Sequence, residues 1–273
     1  MTAIGRIQRV MGPAVASARP LIIPYLTVGF PSLEETVELV LAAEAGGADM
    51  LELGLPFSDP LADGPTIQAA SQAALAGGAS LSRALEIVAA IRRRSELPLL
   101  FMGYANPMFH YGLERFVHVM SEVGVDGLIV PDLPDEEASG VREEAGRRGI
   151  SWVPLIAPTT PPARIPRLDA AATDFTYCVS LTGVTGGRTE LDASLPAYLA
   201  RVAGLAAKPF VVGFGISRPG QVRVVAPPAA GVVIGSALIR VLGEAGTAGA
   251  RRAAVTRFVR DFSTDIRSTG ELE

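Results

Sequence analysis

The chain has 273 residues, 49% of them hydrophobic, and a formal net charge of -4 at pH 7. That length holds one large domain or two small ones, and the apolar fraction is ample for a substantial buried core. The charge is modest and the arginines are scattered, which sets aside nucleic acid and anionic membrane as partners.

No charged-then-apolar leader opens the sequence, and the uncharged run 224–239 contains Pro227 and Pro228. The expectation is a soluble, untargeted protein of the cytoplasm. A short helix over 4–11 precedes a strand-like apolar run at 21–28, and helical periodicity follows at 33–45. The stretch 49–65, DMLELGLPFSDPLADGP, is the most informative. A strand over 49–53 places Met50, Glu52 and Gly54 on one face and Leu51 and Leu53 on the other, so Glu52 lies among apolar neighbours. Lost hydration raises the pKa of such a carboxyl toward neutrality and suits it to proton exchange. Asp63 sits across the following loop as a second acid, while Asp59 reads as a turn residue.

A helix at 82–94 and a strand at 98–102 come next, then the segment Asn106-Pro107-Met108-Phe109-His110-Tyr111-Gly112, read as loop, and a helix at 113–123. His110 and His118 are the only histidines, read as packing or surface residues, and they do not make a metal site. Strands at 127–130, 152–157 and 175–180 follow, with a helix at 136–148 between the first two. Cys178, the single cysteine, reads as a small core residue; alone it excludes an internal disulfide and a thiolate cluster and fits a reducing compartment. The loop Thr182-Gly183-Val184-Thr185-Gly186-Gly187-Arg188 suits a lid, with a plain surface loop as the alternative. A helix at 195–205 leads to Lys208, the only lysine, which opens the strand 209–212 at the wrong end for a Schiff-base catalyst. The last strand is 231–234, and 236–267 holds the final helix, with a frayed tail beyond 268.

Eight apolar runs alternating with helices over about 250 residues have the rhythm of a closed parallel (β/α)8 TIM barrel, one domain over 1–273 with a short N-terminal helix. An open doubly wound sheet is the runner-up, but Thr27-Val28-Gly29-Phe30-Pro31 is not the glycine-rich phosphate loop it would carry. Active sites of such barrels lie at the C-terminal ends of the strands, where Glu52 and Asp63 both fall. Gly213-Phe214-Gly215-Ile216-Ser217 after the seventh strand and Gly235-Ser236-Ala237 after the eighth can expose backbone N–H groups ahead of helices. Such paired turns favour a phosphorylated substrate, against the alternative of ordinary βα turns.

With these residues in place the chain resembles, nearly end to end, the tryptophan synthase alpha subunit family. The run LELGLPFSDPLADGPTIQ at 51–68, Gly183-Val184-Thr185-Gly186 and Gly213-Phe214-Gly215-Ile216-Ser217 carry the resemblance. It implies a lyase splitting indole-3-glycerol phosphate into indole and glyceraldehyde 3-phosphate, a retro-aldol reaction. The scarcity of lysine and histidine fits independently, because a C3-protonated indole can take the electrons that other aldolases pass to a Schiff base or a metal. The resemblance further implies that Glu52 protonates C3 and takes the glycerol hydroxyl proton, and that Asp63 engages the indole N–H, oriented by Thr185. Gly186, Gly215, Gly235 and Ser236 are then the phosphate residues, and Tyr25, Met102, Ile129, Ile156, Tyr177 and Phe214 the indole pocket. It also implies no cofactor in this chain and a pyridoxal-phosphate beta subunit as partner, in an alpha2-beta2 heterotetramer. Pro56, Phe57, Asp59, Asn106 and Pro107 are the expected interface. Two departures bear on local packing: Phe30, where many members have aspartate, and Ala226-Pro227-Pro228-Ala229-Ala230 before the last strand. A stand-alone lyase releasing indole and a barrel that chiefly activates a beta subunit are the rival readings; a phosphosugar isomerase is set aside by the 49–65 run.

Overall fold

The computed structural model describes residues 5–179, 193–213 and 215–267. Its strands are β1 (Leu21–Thr27), β2 (Leu51–Gly54), β3 (Leu99–Met102), β4 (Gly127–Ile129), β5 in two pieces (Ser151–Trp152 and Leu155–Ile156), β6 (Thr176–Val179), β7 (Phe210–Gly213) and β8 (Gly231–Ile234). All their pairings are parallel, and β8 closes onto β1 through the register Leu21↔Gly231 to Pro24↔Ile234. Every residue of β1, β2, β3, β7 and β8 is buried, the signature of strands covered on both faces.

The ring closes at Pro154. The first piece of β5 pairs with β4 and the second with β6. Proline has no N–H to give the ladder, so the strand is interrupted there. Around the break Val153 N–H still donates to Leu128 O at 3.1 Å, and Tyr177 N–H donates to Pro154 O at 3.0 Å. The result is the eight-stranded barrel expected from the sequence.

Twelve α-helices are described: α1 (Arg6–Ala16), α2 (Leu33–Ala45), α3 (Pro65–Ala76), α4 (Leu81–Arg92), α5 (Ala105–Tyr111), α6 (Leu113–Val123), α7 (Ser139–Arg147), α8 (Ile165–Ala171), α9 (Leu195–Ala203), α10 (Val222–Val225), α11 (Ser236–Glu244) and α12 (Ala248–Arg267). Helix α1 runs past the predicted 4–11 and buries Ile7, Met11 and Ala14 under the barrel floor, where Arg6 reaches Asp126, the residue ahead of β4. Three differences from the sequence expectation stand out. Helix α3 was not foreseen, the 106–112 segment is helical rather than loop, and 236–267 divides into two helices.

The unusual approach to β8 is well anchored: Ala230 O accepts from Leu21 N at 2.9 Å and Ala230 N donates to Phe210 O at 2.8 Å. Phe30 packs half-buried against the core. No single described helix is long and apolar enough to cross a membrane; α3 and α4 together have the length but meet at 94°, with Ala70, Leu85, Ile87 and Val88 in the core.

Candidate active site

Strand β2 places Glu52 between Tyr25 of β1 and Leu100 of β3 in the ladder register. The side chain is 1% exposed, and its Oε2 has no hydrogen-bond partner among the described residues. A charge held there loses its hydration with little in return. Burial first, and the neighbouring Asp63 charge second, push the Glu52 carboxyl up to about 8. Glu52 is therefore a protonated acid at neutral pH.

Asp63 ends the loop that leaves β2, its N–H donating to Pro60 O at 3.0 Å and its C=O accepting from Gln68 Nε2 at 2.9 Å. Gln68 lies on α3, which begins at Pro65 with Gly64 as N-cap, so the proline-started helix fixes the end of the loop. Burial raises the Asp63 carboxyl to about 6, opposed by a hydrogen bond from Tyr104. Tyr104 Oη donates to Asp63 Oδ2 at 3.1 Å and accepts from the Ala62 N–H at 3.0 Å. At neutral pH the pair is one neutral acid and one carboxylate.

Both acids line one cavity of about 430 Å3, counted to its open mouth, with Tyr25, Ile67, Met102, Tyr177, Ile216 and Val233 as its walls. Two glycines make room for the tyrosines. A Cβ on Gly54 would collide with Tyr25 Oη and Cζ, and one on Gly213 with Tyr177 Oη and Cζ. Burial drives both phenols well above their usual pKa, which keeps them neutral. Gly215, at φ +86°, and Gly235 and Ser236, at the start of α11, complete the cavity. The first-turn N–H groups of a helix lack intrahelical partners and favour an anion. The arrangement offers proton transfer at one end and anion binding at the other.

The family profile described as tryptophan synthase alpha chain matches residues 12–266. The chain belongs to the tryptophan synthase alpha chain family. It is 48% identical over 243 residues to the tryptophan synthase alpha chain of Roseiflexus sp. (strain RS-1), covering 89% of this chain and 93% of that one. The crystal structure of the tryptophan synthase alpha chain from Legionella pneumophila subsp. pneumophila superposes with a TM-score of 0.90 at 34% identity, over 99% of this chain and 100% of that one. A chain from the tryptophan synthase a2b2 complex of Pyrococcus furiosus superposes at 0.82 with 37% identity, over 89% and 98%.

Of the residues that the tryptophan synthase alpha resemblance singled out, the structure brings Glu52, Asp63, Tyr25, Met102, Tyr177, Gly215, Gly235 and Ser236 to one cavity. Ile129 and Ile156 are fully buried in the core but are not among the cavity's lining residues. Thr185, Gly186 and Phe214 lie outside the described residues. Pro56 is buried, Phe57 and Pro107 half-buried, and Asp59 and Asn106 exposed, on the same end of the barrel. Lys208 donates from Nζ to Asp169 O ahead of β7, at the opposite end of that strand from Gly215. His110 and His118 are exposed and Cys178 is buried. No described cluster of His, Cys, Asp or Glu could hold a metal. Sequence reasoning missed Ile67, Ile216, Val233 and, above all, Tyr104. The available signal for Tyr104 was its place two residues beyond β3, on the face that bears Asp63.

Proposed function

We propose that the chain cleaves indole-3-glycerol phosphate to indole and glyceraldehyde 3-phosphate, with Glu52 and Asp63 as its catalytic residues. The observation that carries this reading is the pair of buried carboxyls in one apolar cavity, one poised near pH 8 and the other near 6. Glu52, protonated, gives its proton to indole C3. Asp63, ionised, faces the ring N–H as positive charge spreads onto it, which stabilises the cationic ring in a site of low polarity. The bond between C3 and the glycerol chain then breaks, and its electron pair restores the aromatic ring. Glu52, now a carboxylate, takes the glycerol hydroxyl proton as that carbon becomes the aldehyde, so the acid is regenerated.

Tyr25, Met102 and Tyr177 hold the indole, with Ile129 and Ile156 behind them and Phe214 as a further wall. Gly215, Gly235 and Ser236 take the phosphate together with Gly186, and Thr185 orients Asp63 from the closing loop. The chemistry requires no cofactor in this chain, which works as one domain over 1–273 in the cytoplasm. Indole passes to a pyridoxal-phosphate beta subunit in an alpha2-beta2 heterotetramer, docked over Pro56, Phe57, Asp59, Asn106 and Pro107. The a2b2 assembly of the Pyrococcus furiosus relative supports that partner.

The test is indole release by Glu52→Gln and Asp63→Asn. Each is expected to lower turnover by roughly 100- to 10,000-fold, the usual worth of a positioned acid or base. Turnover near that of the unsubstituted chain in either variant removes that residue from the mechanism.

A further inference from the structure

Tyr104 is the N-cap residue of α5 and is almost wholly buried. Its ring packs against Phe57, with centroids 5.2 Å apart and planes tilted by 33°. Its hydroxyl has a single proton, and the Ala62 N–H already occupies the acceptor side at 3.0 Å. The proton is therefore directed to Asp63 Oδ2, at 3.1 Å. This geometry joins three segments at one phenol: the half-buried Phe57 shelf, the backbone of the 57–63 loop, and the carboxylate expected to meet the indole N–H. One Asp63 oxygen is tethered, which leaves Oδ1 for the substrate.

We propose that Tyr104 is a positioning residue that aims the Asp63 carboxylate and ties it to the Phe57 shelf. The inference rests on the catalytic reading of Asp63 given above. A phenol fixed as a donor favours the charged form of its acceptor, so it opposes the burial that protonates Asp63. The other titratable groups facing Asp63 are Glu52, Tyr25 and Tyr177, and Asp132 acts on Tyr104 itself. The side-chain hydrogen bond that opposes burial at Asp63 comes from Tyr104, so the effect is assigned to Tyr104.

Tyr104→Phe keeps the ring on Phe57 and removes only the hydroxyl. Two readouts distinguish the failure of this proposal from the failure of the proposed function. The first needs no activity: the Asp63 carboxyl is titrated by carbon-13 NMR in aspartate-labelled protein, its signal assigned by its loss in Asp63→Asn. In the Tyr104→Phe protein the midpoint is expected to rise by about one pH unit, the size of a lost charge-assisted hydrogen bond. The second is the pH profile of kcat/KM for indole release, whose acid limb is expected to move up by the same amount. The rate then falls about tenfold below the limb and recovers toward that of the unsubstituted protein near pH 8. An unmoved Asp63 midpoint overturns the proposal, as does a loss of rate that is uniform across pH.

Discussion

Keeping Glu52 protonated has a cost in stability that Glu52→Gln should reveal. The carboxyl moves from its ordinary 4.5 to about 8 on folding. For an acid raised in this way, nothing is lost below the unfolded value, and stability falls as pH climbs from there toward the folded value. At about 1.4 kcal/mol per pH unit, the cost reaches about 3 kcal/mol at pH 7 and about 5 kcal/mol above pH 8. Glutamine carries no such penalty, but its amide must be buried where Oε2 now has no partner, which costs roughly 1–3 kcal/mol at every pH. The balance favours the variant by about 2–4 kcal/mol at pH 8.5, roughly 4–8 °C in Tm for a chain of this size. At pH 5 the variant is equal to or less stable than the unsubstituted chain. Urea unfolding of both proteins at pH 5, 7 and 8.5 gives the difference directly. A stability difference that stays flat over that range refutes the claim that Glu52 is buried as a neutral acid. The expected gain at high pH in a protein of much reduced turnover is a trade of stability for activity.

The pH dependence of kcat/KM should be bell-shaped, with an acid limb near 6 where Asp63 loses its proton and a basic limb near 8 where Glu52 does. Because the two carboxyls interact, the limbs report the pair, and a flat profile from pH 5 to 9 contradicts the assignment. Gly54→Ala forces a methyl into Tyr25 Oη and Cζ, so a melt should show a loss of about 1–3 kcal/mol and steady-state kinetics a raised KM. A variant that melts and binds normally would show that the ring has other room. At the floor, the Arg92 guanidinium donates to Asp126 Oδ2 at 2.5 Å, to Leu97 O at 2.6 Å and to Gly124 O at 2.7 Å. Arg92→Ala strands a largely buried carboxylate, which Arg6 and the Leu99 N–H only partly serve, and should cost about 2–3 kcal/mol in denaturant unfolding. Its kcat should be normal while folded, and a fall in kcat at full folding would tie the floor to the chemistry.

The barrel was legible because its strands are buried on both faces, so each shows up as a continuous apolar run. Glu52 stood out as a charge inside one of those runs. Helix α3 was not legible, since PTIQAASQAALA is rich in small residues and shows no strong apolar stripe; its better signal was proline at the start and glycine past the end. The break in β5 is written only in Pro154, which reads as an ordinary member of the run until two different partner strands are seen. Tyr104 was missed because its role depends on Ala62 and Asp63, about forty positions back in the chain. No local pattern joins them. The glycines at 54 and 213 raised no expectation as tyrosine seats for the same reason, since the tyrosines come from neighbouring strands.

The most direct measurement mixes the purified chain with indole-3-glycerol phosphate and quantifies indole and glyceraldehyde 3-phosphate together, first alone and then with a tryptophan synthase beta subunit. The account predicts the two products in equal amounts and a release that the beta subunit accelerates. Absence of both products in either condition would contradict the two-carboxylate lyase, and fast release that the beta subunit leaves unchanged would contradict the partnership.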